Sequence, residues 1–227
     1  MSDLKLVILS GRPDHSRPSH PSYDLAYSHF KQTWERICNR PNRPPNYSGF
    51  GFFRQDYILQ IESASEVVGQ TTATHYRTDD LVAKDLPVFE CWLGEPFESL
   101  RSQNLKSLLS LEFTSIAKNY QPRKIEFNYY KVLINLSVNL AKATGSQGIF
   151  GHPRRLTKTN DLIEQIGCRP LGQRKDKWGV SVDLYYGRTE NLVPFPDIRA
   201  QKLTDQLWNS REDLTEIRSN TASKEAA

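Results

Sequence analysis

The sequence predicts an α/β (α+β) fold, in which a central mixed, twisted sheet is flanked by helices. Two segments, Tyr23–Asn39 and Glu126–Gly145, repeat apolar residues at the three-to-four spacing of an amphipathic helix. Between them, Tyr57–Glu62 and Val67–His75 have the apolar or alternating pattern of a β-hairpin. The full order is helix, hairpin, strand, helix, strand, helix, strand, which is typical of layers built around one sheet.

The composition is that of a soluble globular protein. Of the 227 residues, 37% are hydrophobic and 25% are charged, which argues against global disorder. No apolar run reaches the roughly 20 residues that a membrane helix needs, and no charged head with an apolar region opens the sequence. We therefore expect a cytoplasmic protein without a membrane span.

The net charge indicates the kind of binding partner, and the spacing of cysteines and histidines argues against disulfides and metal sites. A net charge of +4 favours acidic partners such as nucleic acid, nucleotide phosphates or an acidic carrier protein. No helix-turn-helix, zinc or RNP pattern supports nucleic acid. Cys38, Cys91 and Cys168 are widely spaced and the histidines form no HxxxH or Cys/His cluster, so we expect neither a disulfide framework nor a metal site.

The pattern predicts one domain with irregular ends. Residues 1–22 hold a short apolar run, LKLVIL, and then a proline-rich loop, and we interpret them as an N-terminal strand and loop fringe. Residues 23–208 form the predicted domain. Residues 209–227 are polar and predict a disordered tail.

The predicted central strand carries the first candidate for chemistry. Leu109, Leu111 and Phe113 alternate on one face, so Glu112 should point from the other face into a cleft or into solvent. Further on, QGIFG predicts a strand, Thr159–Ile166 a helix, and Val180–Tyr186 a strand. GFGFFR, beside a turn, predicts a loop that packs on the core.

The stretch QPRK lies between this strand and the next helix. A helix that begins after a strand and loop presents unpaired backbone amides and the positive end of its dipole, and these bind anions. Arg123 and Lys124 add positive charge there. We interpret the loop as a phosphate cradle, with an ordinary solvated turn as the alternative.

This order of elements, with the hairpin strand EVVGQTTATH, resembles the GNAT acyltransferase superfamily, and more closely the acyl-homoserine-lactone synthases and N-acyl amino acid synthases. LEFTSIAKNY is similar to the family pattern E-x-[ST]-R through Glu112 and Thr114, with Ser115 where the family has arginine. Further matches are Phe30 and Trp34 in the early helix, Asp56 and Tyr57 before the hairpin, and Gly167 and Gly172 after the late helix.

The resemblance implies N-acyltransfer from a thioester to an amine. Such a reaction needs an acceptor for the amine proton and donors to the thioester oxygen. Glu112 is the leading candidate base, His75 is a second, and Tyr185 or Tyr186 could replace the tyrosine that the superfamily has at the position of Ile163. We expect the acyl donor to be bound by Ser115, Ile116, Ala117, Arg123, Lys124 and Asn128. Of these, the resemblance implies the contact from a strand bulge near Ser115 to Ala117.

The expected co-substrate is acyl-CoA or an acyl-phosphopantetheine, with no tightly bound cofactor. The loop QPRKIEFN lacks the glycines that let a backbone approach a pyrophosphate, which favours an acyl carrier protein as donor partner. Such a carrier would dock on a predicted basic edge made of Arg123, Lys124, Arg154, Arg155 and Lys158. The acceptor is a small, amino-acid-like amine; the alternatives are a conventional acetyl-CoA-dependent acetyltransferase and a catalytically silent GNAT-like binding module.

Overall fold

A computed structural model describes residues 4–12, 20–38, 50–64, 66–86, 88–89, 94–154, 159–172, 175–177 and 180–215. The α-helices in these residues are α1 (Pro21–Cys38), α2 (Phe50–Phe53), α3 (Glu95–Ser102), α4 (Tyr129–Ala143), α5 (Thr159–Gln165) and α6 (Ile198–Asn209). The strands are β1 (Lys5–Leu9), β2 (Tyr57–Glu62), β3 (Val67–Arg77), β4 (Ser107–Ile116), β5 (Gly148–Gly151), β6 (Arg169–Pro170), β7 (Lys175–Lys177), β8 (Val180–Val182), β9 (Tyr185–Arg188) and β10 (Glu212–Asp213).

Eight of these strands form one mixed sheet, in the order β10-β1-β2-β3-β4-β5-β9-β6, while β7 and β8 form a separate antiparallel pair. β1 is parallel to β10 and antiparallel to β2, which is antiparallel to β3. β4 is parallel to β5, and β9 is antiparallel to both β5 and β6. This sheet with its helices confirms the predicted mixed α/β architecture.

The residues fall into two compact units. The first takes its residues from Met1–Thr74, Glu112–Asn139 and Phe195–Ile217, and the second from His75–Leu111, Leu140–Pro194 and Arg218–Ala227. Strands β3 and β4 and helix α4 each contribute residues to both units.

In the first unit, α1 and α4 cover opposite faces of β3. Neighbouring residues of a strand point to opposite faces of its sheet, and the Gln70 side chain donates to the Ala26 carbonyl of α1 at 3.1 Å. On the other face, a β-carbon on Gly69 would lie 3.0 Å from Leu133 Cδ1 of α4, so this close approach requires glycine. We call the face of the sheet that carries Gln70 the α1 face.

The core of the first unit is an aromatic cluster between α1, α2 and the sheet. Phe30 is fully buried, and its ring lies edge to face with Phe52 and Phe113 at centroid distances of 5.2 and 5.0 Å. The other buried members are Val7, Leu9, Ala26 and Ile58. The geometry is the preferred one for aromatic pairs.

The second unit has a core of its own. The Phe89 ring stacks on Phe150, with centroids 5.1 Å apart and an interplanar angle of 12°, and lies edge to face with Phe97. Further buried members are Ala83, Val88, Leu100, Leu105, Leu108, Leu171 and Leu184.

The main predicted elements are confirmed. α1 and α4 coincide with the two predicted amphipathic helices to within a few residues, and β2 pairs with β3 as a hairpin in which Tyr57 lies opposite Ala73. β5 and α5 lie where QGIFG and Thr159–Ile166 predict a strand and a helix.

Two predicted elements differ from the structure. The loop predicted for GFGFFR contains the short helix α2, because Phe52 of this segment is buried among the aromatic rings of α1. The strand predicted at Val180–Tyr186 is divided into β8 and β9 because the backbone between them bonds elsewhere: the Asp183 amide donates to Pro153, and the Leu184 carbonyl accepts from Leu171.

Both predicted terminal segments contribute to the sheet. The apolar run in the predicted fringe is β1, and its Leu6 to Leu9 side chains are buried. The predicted tail contributes β10 beside β1, and residues 216–227 of it lie outside the described residues. The extent of one domain at residues 23–208 stays a prediction. None of the helices in the described ranges is long and apolar enough to span a membrane.

Candidate active site

Strand β4 changes its backbone conformation at Phe113. The φ angle there is 51°, in the left-handed region that a residue other than glycine rarely adopts. In a regular strand, Glu112 and Ser115 would face opposite sides of the sheet. Here both side chains bond to the layer formed by α1 and α2, since Glu112 contacts Arg54 just after α2 and Ser115 contacts His29 in α1. The kink therefore brings a carboxylate and a hydroxyl to the α1 face.

Glu112 is a buried, ion-paired carboxylate. The Arg54 guanidinium donates to it, and the exposed fractions of the two side chains are 5% for Glu112 and 24% for Arg54. A buried carboxylate is stable only when an opposite charge or hydrogen bonds compensate it. The sequence left a cleft or solvent open for Glu112, and the structure has a buried side chain and not a solvent-facing one. Its role as a base stays a prediction.

Two threonine hydroxyls of β3 bond beside this ion pair, one to the backbone of Glu112 and one to the side chain of Gln55, the neighbour of Arg54. The Thr72 hydroxyl donates to the Glu112 carbonyl at 3.1 Å, and the Thr74 hydroxyl donates to Gln55 Oε1 at 3.1 Å. Both threonines lie on the α1 face, because they alternate with Gln70 along β3. Glu112 and the segment that carries Arg54 are thus both hydrogen-bonded to β3.

His29 and Ser115 form a second polar pair on the same face. The distance from His29 Nε2 to Ser115 Oγ is 3.0 Å. Ser115 is 9% exposed and His29 is half-buried. Burial lowers the pKa of His29 from 6.5 to about 4, with a smaller contribution from the positive charge of Arg36. The ring is therefore neutral at pH 7.

This neutral histidine predicts a specific loss of stability in acid. Below pH 6.5 the unfolded chain binds a proton at His29, whereas the folded chain does so only near pH 4, so the free energy of unfolding falls as the pH drops through this window. Relative to His29→Gln, we expect the wild type to lose roughly 3 kcal/mol more between pH 7 and pH 4. Urea unfolding at each pH measures this difference. Parallel pH profiles for the two proteins would contradict it.

The loop between β4 and α4 is an ordered turn with exposed cations. The Gln121 carbonyl accepts from the amides of Lys124 and Ile125 at 2.7 and 3.3 Å, which closes the turn. Arg123 and Lys124 are exposed. Cations beside the N-terminus of α4 are available to an anionic ligand.

Two of the residues predicted to contact the acyl donor, Ala117 and Asn128, already have hydrogen-bond partners within the protein. The Ala117 amide donates to the Val68 carbonyl at 3.0 Å, as in a regular strand pair, and the left-handed residue Phe113 lies before the predicted bulge at Ser115 to Ala117. Asn128 Oδ1 accepts from the Tyr130 amide at 3.1 Å and so caps α4. A donor phosphate would compete with Asn128 for that amide. The contacts of Ser115, Ile116 and Ala117 with a donor stay a prediction.

Two of the predicted catalytic residues belong to the second unit. His75 Nε2 lies 2.8 Å from Ser107 Oγ and 3.0 Å from Ser146 Oγ. The Tyr185 hydroxyl donates to Glu164 at 2.5 Å, and burial together with this carboxylate raises the pKa of Tyr185. Tyr185 therefore stays protonated at neutral pH. The catalytic roles of His75 and Tyr185 remain predictions.

The predicted basic edge is described in part. Arg123 and Lys124 belong to the first unit, and Arg154 belongs to the second, where it pairs with Val182 in an isolated bridge. Arg155 and Lys158 lie outside the described residues.

The thiol and metal chemistry of the described ranges is limited. No group of three or more His, Cys, Asp or Glu side chains there is placed to hold a metal ion. Cys168 is a free thiol in the second unit, and burial raises its pKa to about 12, so it is protonated at neutral pH.

Comparison with known proteins shows the fold. No protein-family model and no curated protein sequence matches the chain. Solved structures do match it, and they show that the chain has the fold of the GNAT-superfamily acyltransferases.

Three of these structures illustrate the range of the superfamily. FeeM, an N-acyl amino acid synthase from uncultured soil microbes, superimposes with a TM-score of 0.58 at 11% identity, over 84% of this chain and 93% of FeeM. BjaI, a CoA-dependent acyl-homoserine lactone synthase, gives a TM-score of 0.54 at 10% identity over 93% of each chain. A putative N-acetyltransferase from Lactobacillus plantarum gives 0.50 at 10% identity, over 82% of this chain and 98% of that protein.

Sequence reasoning missed two residues of this site, Arg54 and His29. His29 lies three positions after the buried Ala26 in α1, so it shares the apolar face of that helix, and this spacing was a usable signal. Arg54 carried no comparable signal, because it ends the segment GFGFFR, which was predicted as a loop, and pairs with a residue distant in sequence.

Proposed function

We propose that the chain is an N-acyltransferase that moves an acyl group from a thioester donor, acyl carrier protein or acyl-CoA, to the amine of a small, amino-acid-like acceptor. The observation that supports this most is the kink at Phe113, which brings Glu112 and Ser115 to one face in the strand directly before a loop with exposed cations. A proton acceptor, a hydroxyl and an anion-binding loop are the groups that acyl transfer to an amine uses.

Glu112 is the proposed base for the acceptor amine. Protonation of Glu112 leaves the Arg54 guanidinium without its counter-charge, so this step is easier when another anion approaches Arg54. An amino-acid-like acceptor supplies such an anion in its own carboxylate. The ion pair thus favours an acceptor with both an amine and a carboxylate.

The donor is proposed to bind along the loop before α4. Arg123 and Lys124 meet its phosphate, and the backbone from Ser115 to Ala117 lies beside the thioester. The turn around Gln121 contains no glycine, and a single phosphate makes smaller steric demands on it than a pyrophosphate does. This favours acyl-phosphopantetheine on a carrier protein, with acyl-CoA as the other donor.

Turnover tests this function. Purified protein is incubated with acyl-CoA and acyl carrier protein of several chain lengths and a panel of amines and amino acids, and released thiol is measured. We expect amine-dependent thiol release, which Glu112→Gln lowers by about 100-fold or more in kcat. Glu98→Gln, whose side chain is 69% exposed, is the matched control and should retain wild-type turnover. Thioester consumption that stays at background with every amine would contradict the proposal.

A silent GNAT-like binding module is the second candidate. It is favoured by the engagement of Glu112 with Arg54 and by Ser115 and Ile163, where the sequence departs from the family patterns. Donor binding without any turnover would support it. Turnover that is unchanged in Glu112→Gln would instead indicate an enzyme whose proton acceptor is not Glu112. A strict preference for acetyl-CoA would instead indicate a conventional acetyltransferase.

A further inference from the structure

The first unit contains a histidine and a serine in the arrangement of a proton-transfer pair. His29 Nε2 and Ser115 Oγ are 3.0 Å apart, within the range over which a base accepts a hydroxyl proton. Building on the proposed function, we propose that the Ser115 hydroxyl takes the proton of the attacking amine while it passes its own proton to His29 Nε2.

The position of Ser115 in the strand supports this role. It lies on the α1 face together with Glu112, because the left-handed Phe113 breaks the alternation of β4. It also precedes Ile116 and Ala117, which lead into the cationic loop. A hydroxyl here lies between the ion pair that attracts the acceptor and the loop that attracts the donor.

The charge state of His29 supports the same assignment. A serine hydroxyl relays a proton only when a base accepts its own. Burial and Arg36, two turns further along α1, lower the pKa of His29, so the ring is neutral at pH 7 and holds a transferred proton only transiently. Glu112 can act as base only by giving up its pairing with Arg54. This inference changes one assignment of the proposed function: His29, and not Glu112, finally receives the amine proton, while Glu112 stays paired with Arg54 and holds the acceptor.

The transfer balances without any further reactant. The amine nitrogen attacks the thioester carbonyl, the N–C bond forms and the C–S bond breaks. The amine proton moves to Ser115 Oγ as the Ser115 proton moves to His29 Nε2. His29 then returns its proton to the thiolate, which leaves as a free thiol, and the low basicity of a half-buried imidazole favours this return.

Steady-state kinetics on four variants test the pair. We expect His29→Gln and Ser115→Ala to lower kcat at least about 100-fold while the KM of the donor stays unchanged. Ser115→Thr, which keeps a hydroxyl on a β-branched side chain suited to a strand, should retain most of the rate. Ser28→Ala, an exposed serine of the same helix, is the matched control and should behave as wild type.

The pH profile gives a readout that a structural role would not produce. At saturating acceptor, the kcat of the wild type should be flat between pH 6 and 8, because His29 is neutral throughout, whereas log kcat of His29→Gln should rise with pH as hydroxide replaces the lost acceptor. Equal pH profiles in these two proteins would overturn the pair.

The outcomes separate this inference from the proposed function. A wild-type protein that consumes no thioester with any amine would refute the function itself. Active wild type with His29→Gln and Ser115→Ala within about threefold of it would leave the function standing and overturn the relay. An acyl group retained covalently on Ser115, seen by intact-protein mass spectrometry, would also overturn it, since Ser115 would then be the nucleophile. If His29→Gln does not fold, the comparison of Ser115→Ala with Ser115→Thr still decides.

Discussion

Replacing Arg54 by methionine is expected to lower the free energy of unfolding by about 3–5 kcal/mol. The change removes the guanidinium that neutralises Glu112, whose side chain is 5% exposed. The carboxylate would then remain buried without an opposite charge, and this penalty exceeds the value of an exposed ion pair. Urea unfolding at pH 7, with equal m-values for the two proteins, measures the loss.

Two controls separate burial of the charge from loss of the side chain. In Arg54→Met/Glu112→Leu, most of the stability should return, because apolar replacement of a whole buried pair is often neutral or stabilising. Arg101→Met breaks an exposed ion pair, in which the Arg101 side chain is 49% exposed and the Glu98 side chain 69%. This change should lower the free energy of unfolding by less than about 1 kcal/mol. A loss below about 1 kcal/mol in Arg54→Met would contradict the buried ion pair.

Replacing Phe30 by alanine is expected to cost about 3–5 kcal/mol of unfolding free energy. Phe30 is fully buried and contacts the rings of Phe52 and Phe113, so its removal leaves a cavity between α1, α2 and the kinked part of β4. Phe53→Ala is the matched control: its ring is 38% exposed and the loss should stay near or below 1 kcal/mol. Equal losses of unfolding free energy in Phe30→Ala and Phe53→Ala would contradict a core centred on Phe30.

The fold was accessible from the sequence because its signals are local. The three-to-four spacing in α1 and α4 and the apolar or alternating pattern of β2 and β3 each lie within a single window of the chain. The division of Val180–Tyr186 was not accessible, because the bonds that separate β8 from β9 go to Pro153 and Leu171.

The site was less accessible because its geometry depends on tertiary contacts. Phe113 has no sequence signal for a left-handed φ, which is most often adopted by glycine, asparagine or aspartate. Strict alternation therefore separates Glu112 from Ser115, whereas the structure brings both to the α1 face. The partner of Ser115 is His29, 86 positions earlier in the chain, and no spacing rule connects them. The resemblance indicated Ser115 as a departure from the family arginine and as part of a bulge at the acyl donor, and neither points to the histidine partner that the structure gives it.

Thermal unfolding with acyl donors would show whether this chain binds a thioester, the step on which its proposed chemistry depends. Coenzyme A, acetyl-CoA, long-chain acyl-CoA and acyl carrier protein are added in turn, because a ligand bound only by the folded state raises the melting temperature. We expect at least one acyl donor to raise it, and this shift should shrink in Arg123→Ser/Lys124→Ser but persist in Lys202→Ser, an exposed cation on α6. No shift with any donor would contradict an acyl-donor site and make QPRK an ordinary surface turn.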